Sequence, residues 1–249
     1  MSIISCNDLS FAYDGKVVVE GLNFEVQKGN YLCIVGENGS GKSTLMKGIL
    51  GLIRPKTGRI TTGEGLTPTT IGYLPQQRLA QKDFPASVYE VVLSGRLSSR
   101  GIMPFYSKND RQIAHSNMEK LGITSIAKKS FRELSGGQQQ RALLGRALCA
   151  TENALLLDEP AAGLDPLVTA DLYKTIQALS KEGITIIMIS HDIQAAVEYA
   201  SHILHLQNRQ AFFGSVDDYK QTEIGKRFLY EPPKTVSQLM EGGADDGSV

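Results

Sequence analysis

The chain has 249 residues, 41% of them hydrophobic, enough for one large domain or for a core that carries an inserted subdomain. Lysine plus arginine and aspartate plus glutamate both number 26, so the formal net charge is zero; that argues against nucleic-acid binding by bulk charge, a local patch aside. Cys6, Cys33 and Cys149 lack the spacing of a zinc site or a disulfide framework and read as reduced thiols of a cytosolic protein. The N-terminus has neither a basic region nor a long apolar stretch, and no run approaches the roughly 18–20 apolar residues of a spanning helix. Work at a membrane would be that of a peripheral subunit.

Short β-rich runs fill Ile3 to Val26, broken at Asp14-Gly15 and Lys28-Gly29. Asp14-Gly15, between Leu9–Tyr13 and Lys16–Val19, predicts a hairpin. Tyr13 at its edge is either an aromatic platform for a purine ring or an ordinary strand tyrosine. Tyr31–Val35 predicts a buried strand, and Leu45, Met46, Ile49 and Leu50 have the spacing of one helix face. Between them lies Gly36-Glu37-Asn38-Gly39-Ser40-Gly41-Lys42-Ser43-Thr44. Strand, glycine-rich loop and helix are the context that a G-x-x-x-x-G-K-[ST] pattern requires. The glycines free the backbone to curl around an anion, and the new helix adds its N-terminal dipole. Lys42 supplies a point charge for outer phosphates and the Ser43 hydroxyl a ligand for Mg²⁺. This is a nucleoside triphosphate site.

Gly51 to Gly58 ends the helix and turns the chain; Arg59 to Thr62 and Thr70 to Leu74 predict further strands. Gln76, just past a strand end, either reaches a metal or water at the mouth of the phosphate site or is a solvated loop residue. From Leu79 to Ala150 the apolar residues fall at helical spacings, which predicts a helical insertion of about 70 residues. Leu134-Ser135-Gly136-Gly137-Gln138 precedes an expected helix from Gln139 to Ala150. Ser-Gly-Gly there is either a second backbone nest for an anion or a simple serine N-cap.

Ala154–Leu157 predicts a strand that ends in Asp158-Glu159-Pro160. Open α/β sheets place ligand chemistry at such carboxyl ends. Asp158 can hold Mg²⁺ through water and Glu159 can orient an attacking water; the plain alternative is a helix N-terminal cap. Ala162-Gly163-Leu164-Asp165 leads into a helix with Val168, Leu172, Ile176 and Leu179 as its buried stripe. Ile184–Ile189 predicts another buried strand ending at His191, which either contacts a terminal phosphate or is structural. A helix at Ala195–Val197, a hairpin around Asn208-Arg209, a short helical ending over Val216 to Phe228 and a frayed acidic tail complete the chain.

Taken together, Gly36 to Thr44, Gln76, Leu134 to Gln138, Leu155 to Glu159, Ala162 to Asp165 and His191 resemble the landmarks of the ATP-binding subunit of ATP-binding-cassette (ABC) transporters. The resemblance runs from Tyr13 to about Gly214, and Leu-Ser-Gly-Gly-Gln is its most specific part. It implies an α/β fold: a P-loop NTPase (RecA-like) core over 1–78 and 151–230, with an N-terminal antiparallel β subdomain, an inserted α-helical subdomain over 79–150 and a flexible tail over 231–249. It implies ATP and Mg²⁺ as ligands. Tyr13 would stack on adenine; Gly36, Asn38, Gly39, Ser40, Gly41, Lys42, Ser43 and Thr44 would hold the phosphates; Ser43, Gln76 and Asp158 would complete the Mg²⁺ shell. Glu159 would polarise the hydrolytic water, His191 would fix the γ-phosphate, and Gln76 and Asp165 would belong to the same catalytic machinery. Ser135, Gly136, Gly137 and Gln138 would bind the nucleotide of a second copy, so that two ATP molecules are sandwiched in a homodimer. Ala161 and Ala162 depart from the Ser or Thr that many members carry there, with little expected consequence.

One cassette and a short insertion set the chain apart from repair ATPases, with their long coiled coils, and from two-cassette translation ATPases. A transporter motor remains, peripheral on the cytoplasmic face of the membrane, working with a permease and indirectly a substrate-binding protein, and not with nucleic acid. The Gln76 region and the insertion would receive the permease. Phe84 to Val88, Val91 to Arg96, Ser107 to Arg111 and Leu121 to Ile123 are similar to the zinc/manganese uptake branch and, less closely, to the iron–siderophore and cobalamin branch. His202 and His205 are expected to be strand-face residues and not ligands for the cargo.

Overall fold

A computed structural model describes residues 2–13, 16–63, 65–76, 85–99, 105–151 and 153–230. The predicted turn Asp14-Gly15, the side chain of Tyr13 and the expected tail over 231–249 lie outside them. Strands β1 (Ser2–Tyr13) and β2 (Lys16–Gln27) pair antiparallel, and β4 (Thr57–Thr62) joins the far side of β1, giving a three-stranded sheet. Along β2, buried Leu22, Phe24 and Val26 alternate with exposed Asn23 and Glu25, the period of a sheet with one wet face. The two long strands exceed the short runs expected because bulges absorb the breaks in pattern: the register shifts between Cys6 and Leu9, where Asp8 adopts φ 47°.

The second sheet holds six strands in the order β5 (Gly72–Leu74), β6 (Ala154–Asp158), β7 (Thr185–Ile189), β3 (Tyr31–Val35), β8 (His202–Leu206) and β9 (Gln210–Ser215). All neighbours are parallel except the β8–β9 hairpin, which is the one expected around Asn208-Arg209. The central strands are buried on both faces, so they read as unbroken apolar runs. Leu32, Ile34, Leu156 and Ile187 face one core, shared with the three-stranded sheet and helix α1 (Lys42–Ile49). Cys33, Val35, Leu155, Leu157 and Met188 face the other, shared with the helices.

Those helices include α2 (Val88–Leu93), α3 (Lys108–Lys120) and α4 (Gly136–Ala150), all between β5 and β6, as the helical spacing predicts. They do not form a separate core. Ala147 and Leu148 of α4 belong to the same cluster as Leu74 and Leu155 of the sheet, and Gly72 lets β5 approach so closely that a Cβ there would sit 2.3 Å from the Ala147 carbonyl oxygen. After β6 come α5 (Pro166–Lys181), α6 (Ile193–Tyr199), α7 (Val216–Gln221) and α8 (Glu223–Tyr230). Among the described residues, no helix is long and apolar enough to cross a membrane.

Three boundaries differ from expectation. Pro68–Thr70 takes a 3₁₀ turn closed by the Thr67–Thr70 capping box, so β5 begins only at Gly72. Helix α4 begins at Gly136 and not at Gln139, because the Ser135 hydroxyl accepts the Gln138 N–H at 3.4 Å and pulls both glycines into the first turn. The C-terminal helical ending is two helices, separated where Thr222 caps α7 and its hydroxyl accepts the Gly225 N–H at 3.0 Å.

The insertion is anchored by Asp110. Its carboxylate accepts from the Ser107 N–H at 2.9 Å and hydroxyl at 2.7 Å, capping α3, and from Arg96 Nε at 3.0 Å. Arg96 in turn donates to the Cys149 carbonyl at 2.9 Å on α4. Hydrogen bonds from Ser107 and Arg96 pull the acid's pKa down to about 2. A depressed carboxylate contributes its stability in full above the ordinary carboxylate range and loses it as pH falls towards 2. Asp110→Asn is therefore expected to cost about 1–2 kcal/mol at neutral pH, measured by urea denaturation, with the difference shrinking below about pH 4.

Candidate active site

The loop after β3 is shaped by what approaches it. Gly36 has φ 143°, and a Cβ there would lie 2.2 Å from the Leu206 carbonyl oxygen at the end of β8. Gly41 has φ 96° and serves as the N-cap of α1; a Cβ on it would lie 2.1 Å from Val19 Cγ2 of β2. Both positions need glycine for space as well as for backbone freedom. The turn of the last hairpin also meets this loop: Asn208, at φ 62°, donates Nδ2 to the Val18 carbonyl at 3.2 Å and to the Gly39 carbonyl at 3.4 Å.

Lys42 opens α1 and is 5% exposed. Its Nζ donates to the carbonyls of Gly36 at 2.8 Å and Glu37 at 2.7 Å, so the ammonium is held at the mouth of the curled loop. Burial lowers its pKa, and the charges of Glu159, Asp158 and Glu37 oppose that shift. A cleft of about 560 Å³ runs from this loop to the ends of β5, β6 and β7. Asn38, Gly39, Gly41, Lys42, Ser43 and Thr44 line one side; Gln76, Glu159 and His191 line the other.

The opposite wall is a linked set. Gln76 Nε2 donates to Glu159 Oε2 at 2.8 Å, and His191 Nε2 lies against Glu159 Oε1. Glu159 holds a left-handed backbone, φ 48°, and its N–H donates to the Ile189 carbonyl at 3.1 Å. This turn at the end of β6 swings the carboxylate out over the sheet edge. Asp158, the last residue of β6, is half-buried; desolvation and then the Glu159 charge raise its pKa, while His191, Lys42 and Lys47 lower it. Cation, carboxylate and imidazole facing one anion-sized loop can bind a polyphosphate and orient a nucleophile beside it.

The structure thus brings together the loop residues, Gln76, Glu159 and His191. It does not bring Ser135–Gln138 or Asp165 into that cleft. Ser135 and Gln138 cap one another at the start of α4, and Asp165 caps α5 by accepting the Val168 N–H at 3.0 Å. Ser40 is buried beneath the loop and its N–H donates to the Glu37 carbonyl at 3.2 Å. Two contributors were missed from sequence. Val18 lines the cleft from β2 without any chemical signature. Asn208 stands in the sequence as a turn residue, and asparagine's tolerance of positive φ is the signal that the turn is specific. His202 stacks on Phe213, and His205 is buried with Nδ1 2.8 Å from the Tyr219 hydroxyl, both on β8. Burial lowers the His205 pKa to about 4.

A mostly parallel sheet with a glycine loop at its central strand β3, and an acid at the end of β6, two strands away, across the same cleft, defines a P-loop nucleoside triphosphatase. Residues 19–162 match the family described as ABC transporter, and the chain belongs to that family, as an ATP-hydrolysing, nucleotide-binding subunit. It is 36% identical over 218 residues to the manganese transport system ATP-binding protein MntB of Bacillus subtilis, covering 86% of this chain and 87% of the other. It is 34% identical over 225 residues to the zinc uptake system ATP-binding protein ZurA of Listeria innocua, covering 88% of each. Among solved structures, an ABC transporter in an inward-facing conformation superposes with a TM-score of 0.81 at 31% identity, covering 94% of this chain and 90% of that one. CbiO1 of Clostridium perfringens, part of the ABC transporter complex cbiONQ, superposes at 0.79 with 29% identity, covering 96% and 99%.

Proposed function

We propose that this chain is the motor of an importer for manganese or zinc, acting as an ATP-sandwich dimer on the cytoplasmic face of a separate permease fed by a substrate-binding protein. The observation that carries the cargo is the similarity, over 86% and 88% of the chain, to the MntB and ZurA subunits. In this reading Asn38 to Thr44 cradle the phosphates through backbone N–H groups, and Lys42 exchanges its two loop carbonyls for phosphate oxygens. Tyr13 supplies the adenine platform. Glu159, held by Gln76 and His191, orients and deprotonates the attacking water, and His191 contacts the γ-phosphate once freed from that pair. The Ser135–Gln138 nest and Asp165 complete the site of the second copy.

The donors present suit Mg²⁺: the Ser43 hydroxyl, the Asp158 carboxylate and Gln76 Oε1, which stays available because Nε2 is the atom given to Glu159. When bound, Mg²⁺ neutralises phosphate charge as it develops.

The cargo is tested in the source cell. Deleting this ATPase should lower manganese or zinc content several-fold, with recovery on return of the wild type and not of Glu159→Gln. Unchanged manganese and zinc would sink the metal reading. A selective fall in iron would favour the chelated-iron branch instead, in line with the 32% identity to the Yersinia pestis protein YfeB.

A further inference from the structure

Arg141, in the second turn of α4, reaches two other elements at once. Its Nη1 donates to the Leu121 carbonyl at 2.7 Å, at the C-terminal end of α3, and its Nη2 meets the Asp171 carboxylate on α5. One turn earlier the same helix is pressed against α5 and the loop that leads into it: a Cβ on Gly137 would lie 2.5 Å from Val168 Cγ1 of α5, and one on Gly136 would lie 3.1 Å from Leu164 Cδ2 of the loop. Helix α5 follows directly on the loop from Glu159, which is itself tied by the Ala162 N–H to the Glu159 carbonyl at 3.1 Å and the Leu164 N–H to the Ala161 carbonyl at 3.1 Å. The acid of one site and the glycine nest on α4 are therefore joined through one helix end.

The glycine contact fixes how near the first turn of α4 lies to α5, while the rest of α4 is packed on β5, α2 and α3. Two bonds from one planar guanidinium, to a helix-end carbonyl and to a carboxylate, add a directional tie between α4 and α5 that the glycine contact does not supply; an ammonium with freely rotating donors would tie them less directionally. The Arg141 and Asp171 side chains are 26% and 59% exposed, so the pair adds little to stability. Its effect is on direction.

We infer that Arg141 is a positioning residue that sets the angle of the Ser135–Gln138 nest on α5, and so links the Glu159 loop of one nucleotide site to the nest that completes the other. This rests on the reading that the nest serves a second copy. Arg141 is not among the residues lining the phosphate cleft, so its loss leaves the chain's own cradle in place.

The test uses the full chain as Arg141→Ala, Arg141→Lys, Asp171→Asn and the Arg141→Ala/Asp171→Asn double variant, each with and without Glu159→Gln to trap the dimer. Affinity of the monomer for a fluorescent ATP analogue should stay within about twofold and the melting temperature within about 3 °C, because Asp171 is exposed and Arg141 partly so. The protein concentration for half-maximal ATP-dependent dimerisation should rise about tenfold for Arg141→Ala, with a parallel fall in kcat and little change in KM. Arg141→Lys should fall between, and the double variant should be no worse than Arg141→Ala, as expected of partners in one interaction. Wild-type dimerisation and kcat in Arg141→Ala and Asp171→Asn, or strictly additive losses in the double variant, overturn the inference. If Arg141→Ala does not fold, Asp171→Asn alone decides. Failure of Glu159→Gln itself to dimerise with ATP overturns the sandwich reading, and this inference with it.

Discussion

Glu159→Gln is expected to bind ATP within about twofold of the wild type while turnover falls by about 10²–10⁴, the usual contribution of a positioned base and about 3–5 kcal/mol of barrier. The substitution is close to isosteric and spares every residue proposed to hold phosphate. Lys42 and the Asn38–Thr44 loop sit across the cleft, and a glutamine oxygen can still accept from Gln76 Nε2. What disappears is the negative charge that faces His191 and that the proposed mechanism sets against the attacking water. The measurements are equilibrium binding of ATP with Mg²⁺, phosphate release at saturating ATP, and size-exclusion chromatography with ATP, where a dimer should accumulate. Binding lost in step with turnover would make Glu159 a structural residue. Undiminished hydrolysis would remove it from the chemistry altogether.

Gly36→Ala should be the most damaging single methyl in the loop. The residue adopts φ 143°, and the new Cβ would stand 2.2 Å from the Leu206 carbonyl oxygen and 2.9 Å from Ser40 Oγ. The obstacle is backbone: Leu206 ends β8, whose neighbouring His205 pairs with Val35 in the sheet, so retreat means breaking that ladder. Strain and overpacking together are expected to cost about 3 kcal/mol or more, with nucleotide affinity down at least about tenfold as the loop moves. Gly39→Ala is the control. With φ 82° and nothing within 4 Å of its Cβ, it meets only the backbone term, about 1 kcal/mol. Urea midpoints of the two variants check this; equal, small losses would show that the close approach to β8 yields without cost.

What could be read from the sequence follows the range of the interactions involved. Tyr31–Val35, the loop and the face Leu45, Met46, Ile49 are local patterns, and the helix and strand formed where the spacing put them. The β8–β9 hairpin is local too. Strand lengths in the first sheet were not legible, because bulges at positions such as Asp8 let a strand continue through a broken alternation. The start of α4 was missed by three residues because glycine signals a loop, while the Ser135–Gln138 capping box overrides it. Gln76, Glu159 and His191 could each be named as a strand-end residue, but their hydrogen bonding to one another is a product of sheet order; the Gln76–Glu159 bond spans 83 positions. Arg141 gave no signal at all: an arginine on a helix reads as a solvated face until the fold sets Leu121 and Asp171 beside it.

The place of β3 in its sheet has a consequence for biosynthesis. It lies between β7 and β8, so both strands that hold it are made long after it. The Ser201 hydroxyl bond to the Tyr31 carbonyl spans 170 positions, and the Asn208 bond to Gly39 spans 169. At about 5–20 residues per second, the phosphate loop leaves the ribosome roughly ten to thirty seconds before the strands that shape it. During that interval it lacks the walls that β6, β7 and β8 supply, Glu159, His191 and the Leu206 carbonyl among them. A loop translated early is among the last parts of the site to be completed, and nascent chains that stop short of β8 carry the motif without the strand that shapes it.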